Sequence, residues 1–262
     1  MEAMEPLRVT WVGHSTVLIE LDGVRLLTDP MLRPRVSFLM RVARGADPAT
    51  LSDLDAVLIS HLHYDHLDIG SLGRLGRKVP VVVPTGAARL LRGRGFSRLL
   101  ELDVGAEASI GPLTIRATPA EHEGSRGPLL ANAVAVGYLV SGSARVYFAG
   151  DTDLFDDMRA LAPNLDLALL PVAGWGPRLP PGHLDPRRAA EALQLLRPRV
   201  AVPIHWGTYR RIGVRGNAET LQAPADEFVR FARELSPETD VRVVPVGGTL
   251  ELSLPSREKV TT

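Results

Sequence analysis

The chain is 262 residues long, 45% hydrophobic and 23% charged, and its 30 basic and 30 acidic residues cancel to a net charge of +0. That composition fits a soluble globular protein with a sizeable core, and it offers no global field to attract nucleic acid or an acidic membrane. The lack of cysteine excludes disulfides, thiolate nucleophiles and sulfur-ligated metal, and no uncharged apolar run reaches the roughly 18–20 residues of a membrane span.

The amino terminus, Met1-Glu2-Ala3-Met4-Glu5-Pro6, is acidic and has no apolar stretch, so a secretory leader is not expected and a cytoplasmic location is. Lysine occurs only at Lys78 and Lys259. The arginine bias, with abundant Ala, Pro and Gly, suggests a GC-rich bacterial gene. Leu7, Val9 and Trp11 alternate with polar residues at the strand period of two. Val17–Leu21 and Val24–Leu27 predict a hairpin turned at Asp22-Gly23. The short apolar runs Ala56–Ile59, Val79–Val83, Leu165–Val172 and Val200–Ile204 predict central strands covered on both faces. Leu113–Thr118, Ala133–Leu139 and Val146–Ala149 predict further strands. Asp185-Pro186 reads as an N-cap with Pro at the first helical position, ahead of a stripe of Ala189, Ala192, Leu193 and Leu196. Pro224 is expected to open a last helix with Phe228, Phe231, Ala232 and Leu235 on one face. Strands and helices alternating in both halves, with no linker between them, predict one α/β domain over residues 1–262, built as two sheets sandwiched by helices.

The chemistry concentrates in His61-Leu62-His63-Tyr64-Asp65-His66, directly after the apolar run Ala56–Ile59. Four metal-binding groups at the end of a buried strand are costly to desolvate together unless a cation compensates them. Residues two apart in an extended chain point to one side, so His61 and His63 can reach one ion. A turn near Leu67 would redirect Asp65 and His66 to a neighbouring point, a spacing that suits two ions. His122, Asp151 and His205 each follow a predicted strand and can complete such a site, because strand ends on one sheet edge converge. Taken singly, His122 and His205 read more readily as surface or core histidines than as ligands, and Asp151 as a turn or helix cap.

The hexapeptide pattern His-x-His-x-Asp-His, followed in order by His122, Asp151 and His205, resembles the metallo-β-lactamase superfamily. Trp11-Val12-Gly13-His14-Ser15-Thr16, Leu27-Thr28-Asp29-Pro30, Gly150-Asp151-Thr152 and Ile204-His205-Trp206-Gly207-Thr208 are similar to its N-acyl-phosphatidylethanolamine phospholipase D and L-ascorbate-6-phosphate lactonase branch. The resemblance implies an αββα sandwich of two mixed sheets flanked by helices, with a binuclear site. It implies that His61, His63 and His122 hold one metal, that Asp65, His66 and His205 hold the other, and that Asp151 bridges them. Asp29 and His14 would stand behind these groups and orient them.

The function expected is metal-dependent hydrolysis by a metal-bridging hydroxide, with a phosphodiester as substrate and a sugar-phosphate lactone or other ester as the alternative. A metal-binding protein without catalysis is the reading of another class. Asp65 and Asp151 enter the catalytic set through the metals. His183, in a Gly-His-Leu-Asp-Pro segment similar to the phospholipase branch, would donate a proton to the leaving group or bind a substrate oxygen; its plain reading is a loop histidine beside a cap. The two ions are expected to be zinc, with manganese or iron as alternatives. The substrate is expected to be a small or lipid-like anion, with no nucleic acid and no membrane span. Peripheral membrane contact and self-association stay open. Arg33, Arg35, Arg41 and Arg44 interleave with Val36, Phe38, Leu39 and Met40 as an amphipathic flap, and Arg210, Arg211 and Arg215 form a second cluster. Solvated arginines are the plain reading of both. Trp175 and Leu179 are candidates to line the pocket, with ordinary packing as their plain reading.

Overall fold

The computed structural model describes residues 6–45, 48–126, 133–161, 163–175, 179–214 and 217–254. Two seven-stranded sheets dominate these residues. The first runs in the order Thr249–Leu252, Leu7–Gly13, Thr16–Leu21, Val24–Thr28, Ala56–Leu58, Val81–Pro84 and Leu99–Leu102. It is antiparallel up to Val24–Thr28 and parallel beyond it. The second runs Asp240–Val241, Val200–Ile204, Leu167–Pro171, Arg145–Phe148, Val136–Ser141, Leu113–Pro119 and Glu107–Ile110. Its first four strands are parallel and the rest antiparallel. Both sheets are therefore mixed, as the expected fold requires.

The pleat explains the layers. Val9, Trp11, Val17 and Ile19 enter a core shared with Ile115, Tyr138, Val140, Phe148 and Leu169 of the other sheet. Their neighbours Val12, Leu18, Val57, Ile59 and Val81 point the other way, onto Leu72, Ala88 and Leu91 of the short helices Ile69–Arg74 and Ala88–Arg92. The helix Pro186–Leu196 buries Ala189, Ala192, Leu193 and Leu196 against the second sheet, and Asp185 caps it by accepting from the Arg188 amide at 2.8 Å. A buried Leu of this kind contributes about 1.5–3 kcal/mol. The Asp22-Gly23 turn is the predicted hairpin, with φ of 50° and 76° at its two residues.

One expectation is corrected. The last helix spans Ala218–Leu235 and so begins six residues before Pro224, which lies inside it. Asn217 and Thr220 form a reciprocal capping box that starts it, and this outweighs the hydrogen bond that Pro224 removes. The segment from Arg33 to Arg44, read from the sequence as an amphipathic flap, is built on strands. Its strands Arg35–Val36 and Leu39–Arg41 join Tyr209–Arg211 in a small third sheet. Val36, Leu39 and Tyr209 are buried with Met31, whereas Phe38, Met40 and Val42 are exposed. Arg215 and residues 176–178 lie outside the described residues. No helix among the described residues is long and apolar enough to cross a membrane.

Candidate metal centre

Parallel pairing aligns the carboxyl ends of the strands: Thr28 with Leu58 in one sheet, Phe148 with Leu169 and Pro171 with Ile204 in the other. Asp29, Ser60-His61, Asp151 and His205 follow those ends directly. Two bonds tie the sheets together at this edge: Val136 N donates to Ser60 O at 3.0 Å, and Tyr138 Oη donates to Ile59 O at 2.8 Å. Gly150 is required beneath them, because its φ is +62° and a Cβ there would lie 2.6 Å from Ser60 Cβ. All seven histidines of the chain, numbers 14, 61, 63, 66, 122, 183 and 205, gather at this edge in groups with Asp29, Asp65 and Asp151.

The nitrogens meet closely. His61 Nε2 and His122 Nε2 lie 3.1 and 3.2 Å from His63 Nδ1. His66 Nε2 lies 3.3 Å from His205 Nε2 and 3.2 Å from Asp151 Oδ2. Asp151 Oδ1 is 3.4 Å from His205 Nε2, and Asp65 Oδ2 is 3.7 Å from it. Asp151 thus stands between the His66–His205 pair and His183, whose Nε2 is 3.6 Å from Asp151 Oδ2. His14 Nε2 is 3.3 Å from Asp65 Oδ2, and His14, Asp65, His66 and His205 form a group of four.

Outer partners fix the tautomers. His122 Nδ1–H donates to Gly182 O at 2.8 Å, which leaves its Nε2 lone pair facing inward. Ser60 Oγ–H donates to Asp29 Oδ2 at 2.5 Å and so accepts from His61 Nδ1–H at 2.9 Å. His66 Nδ1–H donates to Asp29 Oδ2 at 2.7 Å. Bare lone pairs therefore face one another across about 3 Å, the arrangement that a divalent cation satisfies and that water-excluded imidazoles otherwise resist. Asp151 Oδ1, His205 Nδ1 and His14 Nε2 are buried without a hydrogen-bond partner. The donor set fits a metal.

Electrostatics agrees. Burial, then the neighbouring His66 charge, holds His61 well below the usual histidine range. Burial also brings His122 down to about 4 and His14 down to about 3. His66 goes the other way: burial opposes its charge, but Asp151 and Asp65 outweigh burial and raise it well above the usual value. Asp65 and Asp151 are held well below the carboxylate range, because the histidine charges outweigh their burial.

The sequence reading did not anticipate three supports. Ser60 relays Asp29 to His61; a serine after a strand carries no motif signal. Gly182 O holds His122 from a distant loop. Trp175 Nε1–H donates to Asp65 Oδ2 at 2.6 Å while its ring packs on the small core of Met31, Val36, Leu39 and Tyr209. The sequence makes Trp175 a pocket-lining candidate, and only the fold gives it a donor role.

A family model described as a β-lactamase superfamily domain matches residues 24–206. The chain is 33% identical to an N-acyl-phosphatidylethanolamine-hydrolyzing phospholipase D of Caenorhabditis elegans, over 94% of this chain and 76% of that protein. It is also 33% identical to a UPF0173 metal-dependent hydrolase of Methanopyrus kandleri, over 94% of this chain and 100% of that one. Among solved structures, a metallo hydrolase from Ignicoccus hospitalis superposes with a TM-score of 0.72 at 25% identity, covering 95% of this chain and 100% of that chain.

Proposed function

Because the chain belongs to the β-lactamase superfamily and is a metal-dependent hydrolase, we propose that it holds two divalent cations and cleaves a phosphodiester. The observation that carries this reading is the gathering of every histidine in the chain, with Asp65 and Asp151, at one sheet edge. In this reading His61, His63 and His122 hold one ion, Asp65, His66 and His205 hold the other, and Asp151 serves both. Divalent cations supply a nucleophile from water near neutral pH and polarise the oxygen of the scissile group. The donors are nitrogen and oxygen only, so zinc, manganese and iron are the candidate ions.

The chain's own groups do the positioning. Asp29 and Ser60 lock the His61 and His66 rings, and Trp175 and His14 bear on the same Asp65 oxygen. His183 has its Nδ1 at 3.1 Å from Pro180 O, so Nδ1–H donates there and Nε2 faces Asp151 and the cleft. From that place it can pass a proton to a leaving group. The similarity to the nematode phospholipase favours a phosphodiester over a lactone.

Elemental analysis of purified protein, with a panel of bis-p-nitrophenyl phosphate, lactones and N-acyl phospholipids, tests the reading. Asp151→Ala and His63→Ala are expected to lower metal content and abolish turnover. Full activity after chelation would overturn the metal mechanism, and lactone cleavage without diester cleavage would reassign the substrate. His183→Ala is expected to keep its metal and lose about 10²–10⁴-fold in kcat.

A further inference from the structure

An open groove of about 570 Å³ lies against the outer side of the hexapeptide loop, lined by Tyr64 and by Arg33, Arg74, Arg77, Arg94 and Arg126. Among the described residues, five guanidinium groups share it with one carboxylate, Asp68, in a chain whose basic and acidic residues balance overall. That carboxylate is fully used. It accepts two bonds from Arg33, at 2.7 and 2.5 Å, and two more from Ser71.

Asp68 also lies near enough to Arg126 to favour its charge, and no second acid lines the groove among the described residues. Arg126 donates to the carbonyls of Leu62 and Leu67, and its guanidinium lies 4.4 Å from the centre of the Tyr64 ring. Arg94 is near enough for its charge to oppose that of Arg126. Arg77 lies over the turn at Gly95, next to Arg94, with its Cδ 3.5 Å from where a Cβ of residue 95 would stand. Gathering like charges in a concave site costs free energy that an anion returns, and planar guanidinium forks match the oxygens of a phosphate. Tyr64 is 50% exposed and sits in the chain between His63 and Asp65, and Leu67, which also lines the groove, follows His66.

We propose that this groove is an anion subsite that binds a phosphate group through Arg77, Arg94 and Arg126. It deepens the hydrolase reading and rests on it in one respect only, the assignment of the bound phosphate to a substrate whose reacting bond lies at the cluster.

The test is calorimetric titration of the metal-loaded protein at low salt with inorganic phosphate and with pyrophosphate. Phosphate also has affinity for a metal centre, so two classes of site are expected in the parent chain. In Arg77→Ala/Arg94→Ala one class is expected to weaken at least about tenfold, with metal content unchanged; added salt should weaken the same class selectively. Arg159→Ala, an exposed arginine elsewhere, controls for overall charge and should change neither class. Flotation with phosphatidylcholine vesicles, with and without phosphatidic acid, separates the sources. Capture that needs phosphatidic acid and fails in the double variant assigns the groove to a lipid headgroup. Response to the soluble anions alone assigns it to a free phosphate ester. Equal stoichiometry and affinity in the parent and the double variant would overturn the proposal. Failure of the hydrolase reading would register separately, as no metal and no turnover while the groove titration persists.

Discussion

Asp29 satisfies three donors with one carboxylate: Ser60 N at 2.7 Å, Ser60 Oγ at 2.5 Å and His66 Nδ1 at 2.7 Å. Burial pushes its pKa up, and the bonds from His66 and Ser60 oppose that rise. An amide in its place can accept on one atom only and turns an N–H toward a donor. Asp29→Asn is therefore expected to cost about 1–3 kcal/mol in urea denaturation and about 10–100-fold in metal affinity by chelator competition. Trp175→Phe keeps the ring on its small core and removes only the donor to Asp65. The expectation is weaker metal binding on the same 10–100-fold scale, roughly, with a stability change under about 1 kcal/mol. The sequence made the hexapeptide, His122, Asp151 and His205 legible because their order carries a motif. Ser60 and Gly182 were not legible, since their contribution is a single oxygen whose partner lies far along the chain. Two histidines gained weight only in the fold: His14, through its approach to Asp65, and His183, through its approach to Asp151.

At the scale of elements, the strong period-2 and apolar runs located the central strands to within two or three residues. The edge strands Leu99–Leu102, Glu107–Ile110 and Thr249–Leu252 escaped notice because they are short and half exposed. Their pairing, rather than their composition, makes them strands. The helix Ile69–Arg74 joins this scale to the site, since it begins three residues after His66. Asp68 caps it through the Ser71 amide at 2.9 Å and ties it to Arg33, which lies across Gly70. Asp68→Ala is expected to cost about 2 kcal/mol, mostly from the cap, because Arg33 is partly exposed and its ion pair is screened. The pH dependence has a definite sign. Burial raises the Asp68 pKa, but Arg33 and Ser71 outweigh burial and hold it below the usual value. The contribution is thus complete above the unfolded-state pKa of about 3.9 and fades as pH falls through the folded-state value. Denaturation of parent and variant should differ fully at neutral pH and converge in acid.

At the scale of the molecule, two mixed sheets deliver strand ends to one edge, and the shared core of Trp11, Tyr138, Phe148 and their neighbours fixes that edge. The histidine cluster is then held by the fold rather than building it. Its outer partners, Asp29, Ser60 and Gly182, hold the histidine rings through protein–protein hydrogen bonds. Chelation should therefore weaken the protein without unfolding it, unlike small domains that fold only around their metal. Cations at about one hundred times their dissociation constant stabilise by about 2.7 kcal/mol, and each kcal/mol moves Tm by roughly 2–4 °C at this size. Thermal denaturation is thus expected to fall by about 5–11 °C on chelation, to stay cooperative, and to recover when metal returns. In His63→Ala the same chelator should move Tm far less, because part of the cation's affinity is already lost. An equal fall in that variant would place the stabilising ion elsewhere in the molecule.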